Sequence, residues 1–199
     1  MALGFDAVYA EWLRSPTLHG IWQATAAGEE EPPGFENLNF LTRGELDRIV
    51  AELDLRSGEP VMELACGAGG LSVWLAQRPG IAVVGMDLSR VGVRVAARRA
   101  VAQSVRDAVF VVGAAGAAPV ADASMAGVMS VDSLQYVPNK LAALRDVTRV
   151  LAPSRRMVFT AFELEPARVV GLPVLGVDPV ADYAPEGCHK SVTRRVCTR

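Results

Sequence analysis

The apolar positions of this chain change period along its length, and those changes mark its elements. Phe5, Val8, Tyr9, Trp12 and Leu13 recur at helical spacing, and Pro16 closes that run. Leu18, Ile21 and Trp22 suggest a second short helix, stopped by the acidic, Pro-rich stretch from Glu29 to Gly34. Thr42, followed three residues later by Glu45, has the form of a capping box, and Leu46, Ile49, Val50 and Leu53 make one apolar stripe behind it. Beyond the turn Ser57-Gly58-Glu59-Pro60 the pattern alternates. Short apolar runs at 60–64, 81–86, 108–112, 126–131 and 156–162 read as strands. Helical segments lie between them at 71–77, after Ser89 and after Asn139, the last carrying Leu141, Leu144, Val147 and Leu151. Strands that are apolar throughout and separated by helices predict a parallel sheet covered on both faces. The expected fold class is α/β, a doubly wound parallel sheet of about five strands.

Composition narrows the function. With 199 residues, 20 basic against 22 acidic side chains and a net charge of −2, the chain has the size of one domain and no field suited to a phosphate backbone. Nucleic acid is therefore not an expected partner. No run reaches the roughly 18 apolar residues of a membrane span, and Met1 to Asp6 lacks the basic and apolar regions of a signal peptide. The expectation is a cytoplasmic protein with no membrane partner. Cys66, Cys188 and Cys197 have no metal-ligand spacing, and His19 and His189 are the two histidines, so neither a disulfide framework nor a metal site is expected. Arginine outnumbers lysine 18 to 2, which fits GC-rich bacterial coding.

The strongest chemical signal is Val61-Met62-Glu63-Leu64-Ala65-Cys66-Gly67-Ala68-Gly69-Gly70, a strand running into a glycine loop that opens a helix. Glycines allow close backbone approach to a ligand, and N–H groups at a helix start can receive a carboxylate or phosphate. Asp87 ends the second strand twenty residues after Gly67, the place at which an acid meets ribose hydroxyls in nucleotide-binding α/β folds. A ribose-bearing cofactor follows. A dinucleotide fingerprint wants Gly or Ala three places after the second glycine, and Ser72 stands there. Glu63, inside the first strand, suits either the amino group of an aminoacyl ligand or a role in holding the loop.

The stretch Glu63 to Gly70 resembles the first motif of class I S-adenosylmethionine-dependent methyltransferases, small-molecule branch (the methyltransferase type 11, UbiE-like group). Val83-Val84-Gly85-Met86-Asp87-Leu88-Ser89 is similar to that branch's second-strand motif. Asp122-Ala123-Ser124, Ser130 to Leu134, Val137-Pro138 and Arg149-Val150-Leu151-Ala152-Pro153 continue the likeness, which spans about residues 35–184. The resemblance implies a Rossmann-like core, S-adenosyl-L-methionine as cofactor, and methyl transfer to oxygen or nitrogen of a small-molecule acceptor, plausibly in secondary metabolism. It assigns Glu63, Ala65, Cys66, Gly67 and Gly69 to the methionine end, Asp87 to the ribose, and Leu88 and the Ala114 position to the adenine. It also implies a helical lid over residues 1–41, ahead of a core at 42–162 and a sheet-closing region at 163–199. Tyr9, Trp12, Phe35 and Phe40 are aromatic candidates to face the sulfonium, although such a stripe more often serves packing. Asp132, Tyr136 and Glu163 are candidate catalytic groups near strand ends. Cys66 reads as a small buried filler rather than a reactive thiol.

Four departures stand out. Ala114 replaces the Asp that relatives place on the adenine amino group, and Met125-Ala126 replaces Phe-Asp, altering packing and a surface charge. Ser154-Arg155 replaces a Gly-Gly turn, at about 1 kcal/mol if positive φ is kept. The antiparallel hairpin that closes such sheets is not legible in 163–199, which holds Pro166, Pro173, Pro179 and Pro185 and ends in a basic tail free of acids from 187 on. The chain is thus expected to be truncated or frame-shifted, with strand five an exposed edge open to homo-oligomerisation. Two other readings accompany the methyltransferase one: a cofactor-binding fragment or interaction module without turnover, and an NAD(P)-dependent oxidoreductase.

Overall fold

A computed structural model describes residues 2–12, 14–17, 20, 41, 43–160, 163–164, 188–189 and 197–198. After helix α1 (Ala2–Trp12) and helix α2 (Arg43–Leu53), strand and helix alternate: β1 (Pro60–Leu64), α3 (Gly70–Ala76), β2 (Ala82–Asp87), α4 (Arg90–Ala102), β3 (Ala108–Val112) and β4 (Met125–Ser130). A 3₁₀ turn (Leu134–Tyr136), α5 (Lys140–Val150) and β5 (Leu151–Phe159) follow, with two-residue strands β6 (Glu163–Leu164), β7 (Cys188–His189) and β8 (Cys197–Thr198). Phe35 and Phe40 fall outside the described residues, as do most of the second expected helix and of 163–199.

The sheet runs β3-β2-β1-β4-β5-β8, with the first five strands parallel. This is the doubly wound arrangement the sequence pattern implies. Its order reverses between β1 and β4, so the helices that follow those two strands leave on opposite sides. A crevice at the carboxyl ends of β1 and β4 is the consequence, and such folds bind ligands there.

Each face of the sheet carries its own core. Leu46, Ile49 and Leu53 of α2 pack with Leu71, Trp74 and Leu75 of α3 on Val61, Val83, Met129 and Val158. On the other face, Val147 and Val150 of α5 meet Met62, Leu64, Met86, Val128 and Met157. Strands β1 and β4, central and covered on both sides, are apolar almost throughout. The exceptions are Glu63 and Ser130.

Several expectations change at the periphery. In α5 the buried stripe is Ala143, Val147 and Val150, whereas Leu141 is 60% exposed and Leu144 is also exposed. Asn139 does cap this helix, its Oδ1 accepting from Ala142 N–H at 2.9 Å, and the helix turns the small Ala143 to the sheet. Leu151 belongs to β5, not to the helix. Val8 of α1 is exposed, and so are Val109 and Val112 of β3, because β3 ends the row and is covered less than the inner strands. Ala126 is buried, so its exchange for a charged residue alters the interior and not the surface. Ser154 keeps a left-handed backbone, φ 62°, where a glycine was expected; the register of β4 against β5 shifts there. Its neighbour Arg155 ion-pairs with Glu59 and donates to the Asp54 carbonyl at 3.3 Å, tying the irregular strand to the turn before β1. Strand β5 is not a bare edge either: β8 pairs antiparallel with it at Arg156↔Thr198 and Met157↔Cys197. The pairing covers two of the nine residues of β5. Among the described residues no helix is long and apolar enough to cross a membrane, and no cluster of metal-ligating side chains occurs.

Candidate functional site

The glycine loop and Asp87 meet as the sequence order implied, and more directly. Gly67 N–H donates to Asp87 Oδ2 at 2.8 Å, and Ser89 N–H donates to Asp87 Oδ1 at 2.7 Å. The bond from Cys66 N–H to the Met86 carbonyl, 3.0 Å, extends the β1–β2 pairing one step and sets the loop against the strand end. Asp87 is thus a joint between two loops as well as an acid facing the crevice, and it is 8% exposed. Burial pushes its carboxyl above the ordinary range, while the N–H groups of Ser89 and Gly67 pull it back.

The loop is tight. Ala65 adopts φ 62° at the end of β1, and Gly67 and Gly69 follow at 53° and 74°. Left-handed backbone at a residue with a Cβ costs of order 1–2 kcal/mol, and strain of this kind collects at functional sites. Gly67 cannot be replaced freely for a second reason, because a Cβ there would collide with the Tyr9 hydroxyl. Arg99 Nη1, from the last turn of α4, donates to the Ala68 carbonyl at 2.9 Å and holds the far side of the loop.

Glu63 lies beneath this loop, 2% exposed, and accepts a hydrogen bond from the Ser72 hydroxyl in the first turns of α3. Of the two roles open to it, the structure shows the bond that holds the loop to its helix. Burial pushes its carboxyl up to about 8, so the group is largely neutral at pH 7. Cys66 is buried and its thiol is pushed up too, which fits a filler.

Helix α1 closes the crevice from above. Tyr9 lies against Gly67 and within 3.1 Å of a Cβ placed on Gly92. Burial, with Asp87, Cys66 and Glu63 nearby, pushes its phenol far up, so it is neutral. Asp6, one helical turn before Tyr9, accepts from the Ser89 hydroxyl at 2.5 Å and from Val91 N–H at 3.1 Å, at the start of α4. These bonds hold its carboxyl below the ordinary range. Phe5 meets Tyr136 edge to face, centroids 5.6 Å apart. One face of α1 therefore touches the loop after β1, the loop after β2 and the turn after β4. Of the four aromatic candidates, Tyr9 reaches the site, and the side chain of Trp12 lies outside the described residues.

The other expected positions divide. Leu88 is 42% exposed beside Asp87, and Ala114 is exposed just past β3, whose Gly113 N–H donates to the Asp87 carbonyl at 3.0 Å. Asp132 adopts φ 47°, and its carboxylate accepts from the Thr160 hydroxyl at 2.7 Å, while its own N–H donates to that oxygen at 2.9 Å. Tyr136 is 40% exposed. Glu163 lies in β6, paired in register with His189 in a two-stranded sheet distinct from the main one. Sequence reasoning missed Asp6 and Ser72. Ser72 was visible as a misfit in the glycine pattern; no local signal joins Asp6 to Ser89, 83 residues on.

Residues 61–154 match the family described as the methyltransferase domain. Over that stretch the chain carries a methyltransferase domain, and it is similar to S-adenosylmethionine-dependent methyltransferases. This methyltransferase domain is 31% identical over 150 residues to the 27-O-demethylrifamycin SV methyltransferase of Amycolatopsis mediterranei, covering 75% of this chain and 52% of that protein. It is 30% identical over 164 residues to a ubiquinone biosynthesis O-methyltransferase of Xanthomonas oryzae, covering 82% and 65%. The solved structure of the [4+2]-cyclase SpnF superposes with a TM-score of 0.65 at 21% identity, covering 83% of this chain and 61% of that one, a likeness of fold. The chain spans 40–65% of the length of these and similar curated relatives.

Proposed function

We propose that this methyltransferase domain binds S-adenosylmethionine across the carboxyl ends of β1 and β2 and transfers its methyl group to oxygen or nitrogen of a small-molecule acceptor. The observation that carries the reading is the joint between Gly67 and Asp87, which sets a glycine cradle and an acid side by side at the carboxyl ends of β1 and β2, next to the switch point of the sheet. The residues fit such a cofactor. A carboxylate has about four lone-pair sites, and the two N–H groups on Asp87 leave others for ribose hydroxyls. Leu88 and the Ala114 position offer apolar contact to the adenine, and the backbone of Ala65, Cys66, Gly67 and Gly69 is the surface read as meeting the aminoacyl end. Neutral Glu63 holds the loop from below. When bound, the cofactor supplies a methyl group already activated on a sulfonium. What remains for the protein is to align the acceptor and exclude water, through proximity and orientation. The Tyr9 ring is the aromatic surface available to a cation there. Asp132 and Tyr136 are read as flanking the acceptor side, with Glu163 as a third candidate.

A second reading, a cofactor-binding module without turnover, draws support from the absence of an acid at Ala114 and from the Thr160 hydroxyl on the Asp132 carboxylate. The cytoplasmic setting and the absence of a nucleic-acid partner stay with both readings, on the cysteine pattern and the net charge of −2.

Thermal unfolding with S-adenosylhomocysteine, S-adenosylmethionine and NAD tests the cofactor. At a hundredfold excess over Kd, binding stabilises by about 2.7 kcal/mol. Asp87→Ala should abolish that shift. Stabilisation by NAD alone would overturn the reading. Transfer of labelled methyl to a panel of phenols, alcohols and amines then separates the enzyme from the module.

A further inference from the structure

Ser89 joins two things that are remote in sequence. Its N–H donates to Asp87 Oδ1, on the acid read as the ribose partner, and its hydroxyl donates to Asp6 Oδ1 on α1. The same hydroxyl accepts from Gly92 N–H at 2.9 Å, capping α4, and Asp6 also takes Val91 N–H. Asp6 thus serves as a carboxylate at the start of α4, where N–H groups and the helix dipole favour an anion. Three residues further along α1, Tyr9 rests on Gly67, whose N–H holds the second Asp87 oxygen. Asp87, Ser89, Asp6, Tyr9 and Gly67 close a ring, and α1 is one of its sides.

We infer that Asp6 is a positioning residue that latches α1 over the cofactor crevice, and that occupation of the crevice and docking of α1 reinforce each other through Ser89 and Tyr9. This inference rests on the cofactor reading proposed above. Docking adds the Tyr9 surface to the cradle, so a ligand there binds the docked state better than the undocked one. Such coupling is reciprocal, because each event must favour the other by the same factor. Asp6 need not touch the ligand to do this. It fixes α1 by its bonds to Ser89 and Val91.

Hydrogen exchange of the full chain, with S-adenosylhomocysteine as the probe, tests the latch. In the unmodified protein the probe should slow exchange across 2–12. In Asp6→Ala that protection should be lost and the probe's Kd should rise about fivefold or more. Glu11→Gln, which removes an exposed pair with Arg14 elsewhere on α1, should leave both readouts unchanged. Retention of the 60–130 exchange pattern in Asp6→Ala shows that the core is still folded. Protection of 2–12 that persists in Asp6→Ala overturns the latch, as does probe binding that leaves exchange there unchanged or speeds it. Speeding would mean that Tyr9 fills the cradle and must leave. A probe that fails to bind the unmodified protein at all overturns the cofactor reading together with the latch.

Discussion

Replacing Glu63 by Gln should make the protein more stable at neutral and alkaline pH and remove most of its pH dependence there. Glu63 sits 2% exposed in the central strand, facing the Ser72 hydroxyl, with Asp87, Tyr9 and Cys66 as the other titratable groups around it. Burial, chiefly, lifts its carboxyl from an ordinary 4.5 to about 8. Between those values the folded chain holds a proton that the unfolded chain has lost. The contribution is therefore complete below pH 4.5 and falls away as pH rises through about 8. The slope is about 1.4 kcal/mol per pH unit, so roughly 3 kcal/mol disappears between pH 5 and 7.5. Asp87, also raised, acts in the same direction. Asp6 and Glu59 are lowered and act in the opposite one, but their contribution is lost only as pH falls below the ordinary carboxylate range. Gln can accept the Ser72 hydrogen bond through its own oxygen and carries no charge at any of these pH values. Urea unfolding at pH 5, 6, 7 and 8 reads the difference. Wild type should weaken steadily, the variant should change far less, and the two should come close at pH 5. A wild-type curve that is flat or rises from pH 5 to 8, or a variant that tracks it, refutes the picture of a neutral buried acid.

Three further outcomes follow from individual contacts. Ser130 is fully buried at the end of β4 and its hydroxyl has no partner among the described residues, so Ser130→Ala should raise the unfolding free energy by about 1 kcal/mol in urea titrations. Ser154 holds φ 62°; Ser154→Gly should stabilise by about 0.5–1 kcal/mol, and Ser154→Val should lower the melting temperature. Gly67→Ala places a methyl group on the Tyr9 hydroxyl at a positive φ, and calorimetry should find the S-adenosylhomocysteine affinity reduced at least tenfold while the core still unfolds cooperatively.

Much of the architecture is legible in one dimension because its causes are local. Strands β1 and β4 announce themselves as nearly continuous apolar runs, since both of their faces are covered, and Asn139 caps α5 through a bond three residues long. The cradle is legible for the same reason. Glycines, a strand before them and an acid after the next strand are properties of sequence order, and parallel pairing of β1 with β2 brings Gly67 to Asp87 wherever that order occurs. The misfits were informative too: Glu63 and Ser72, each odd in its own element, turn out to be each other's partners.

What sequence order left open was settled by phase, by edges and by distant partners. Leu141 and Leu144 share helical spacing with Val147, yet the sheet takes the Ala143 side, because contact with a flat surface selects among stripes that periodicity ranks alike. Val109 is as apolar as Val128, and only the position of β3 at the end of the row leaves it in solvent. Nothing in the sequence around Asp6 marks it. Its meaning arises when folding places it on Ser89, since a hydrogen bond between residues so far apart has no trace in local composition. The linear chain thus determined which segments could build a cofactor cradle. Only the packed molecule decided what closes over it.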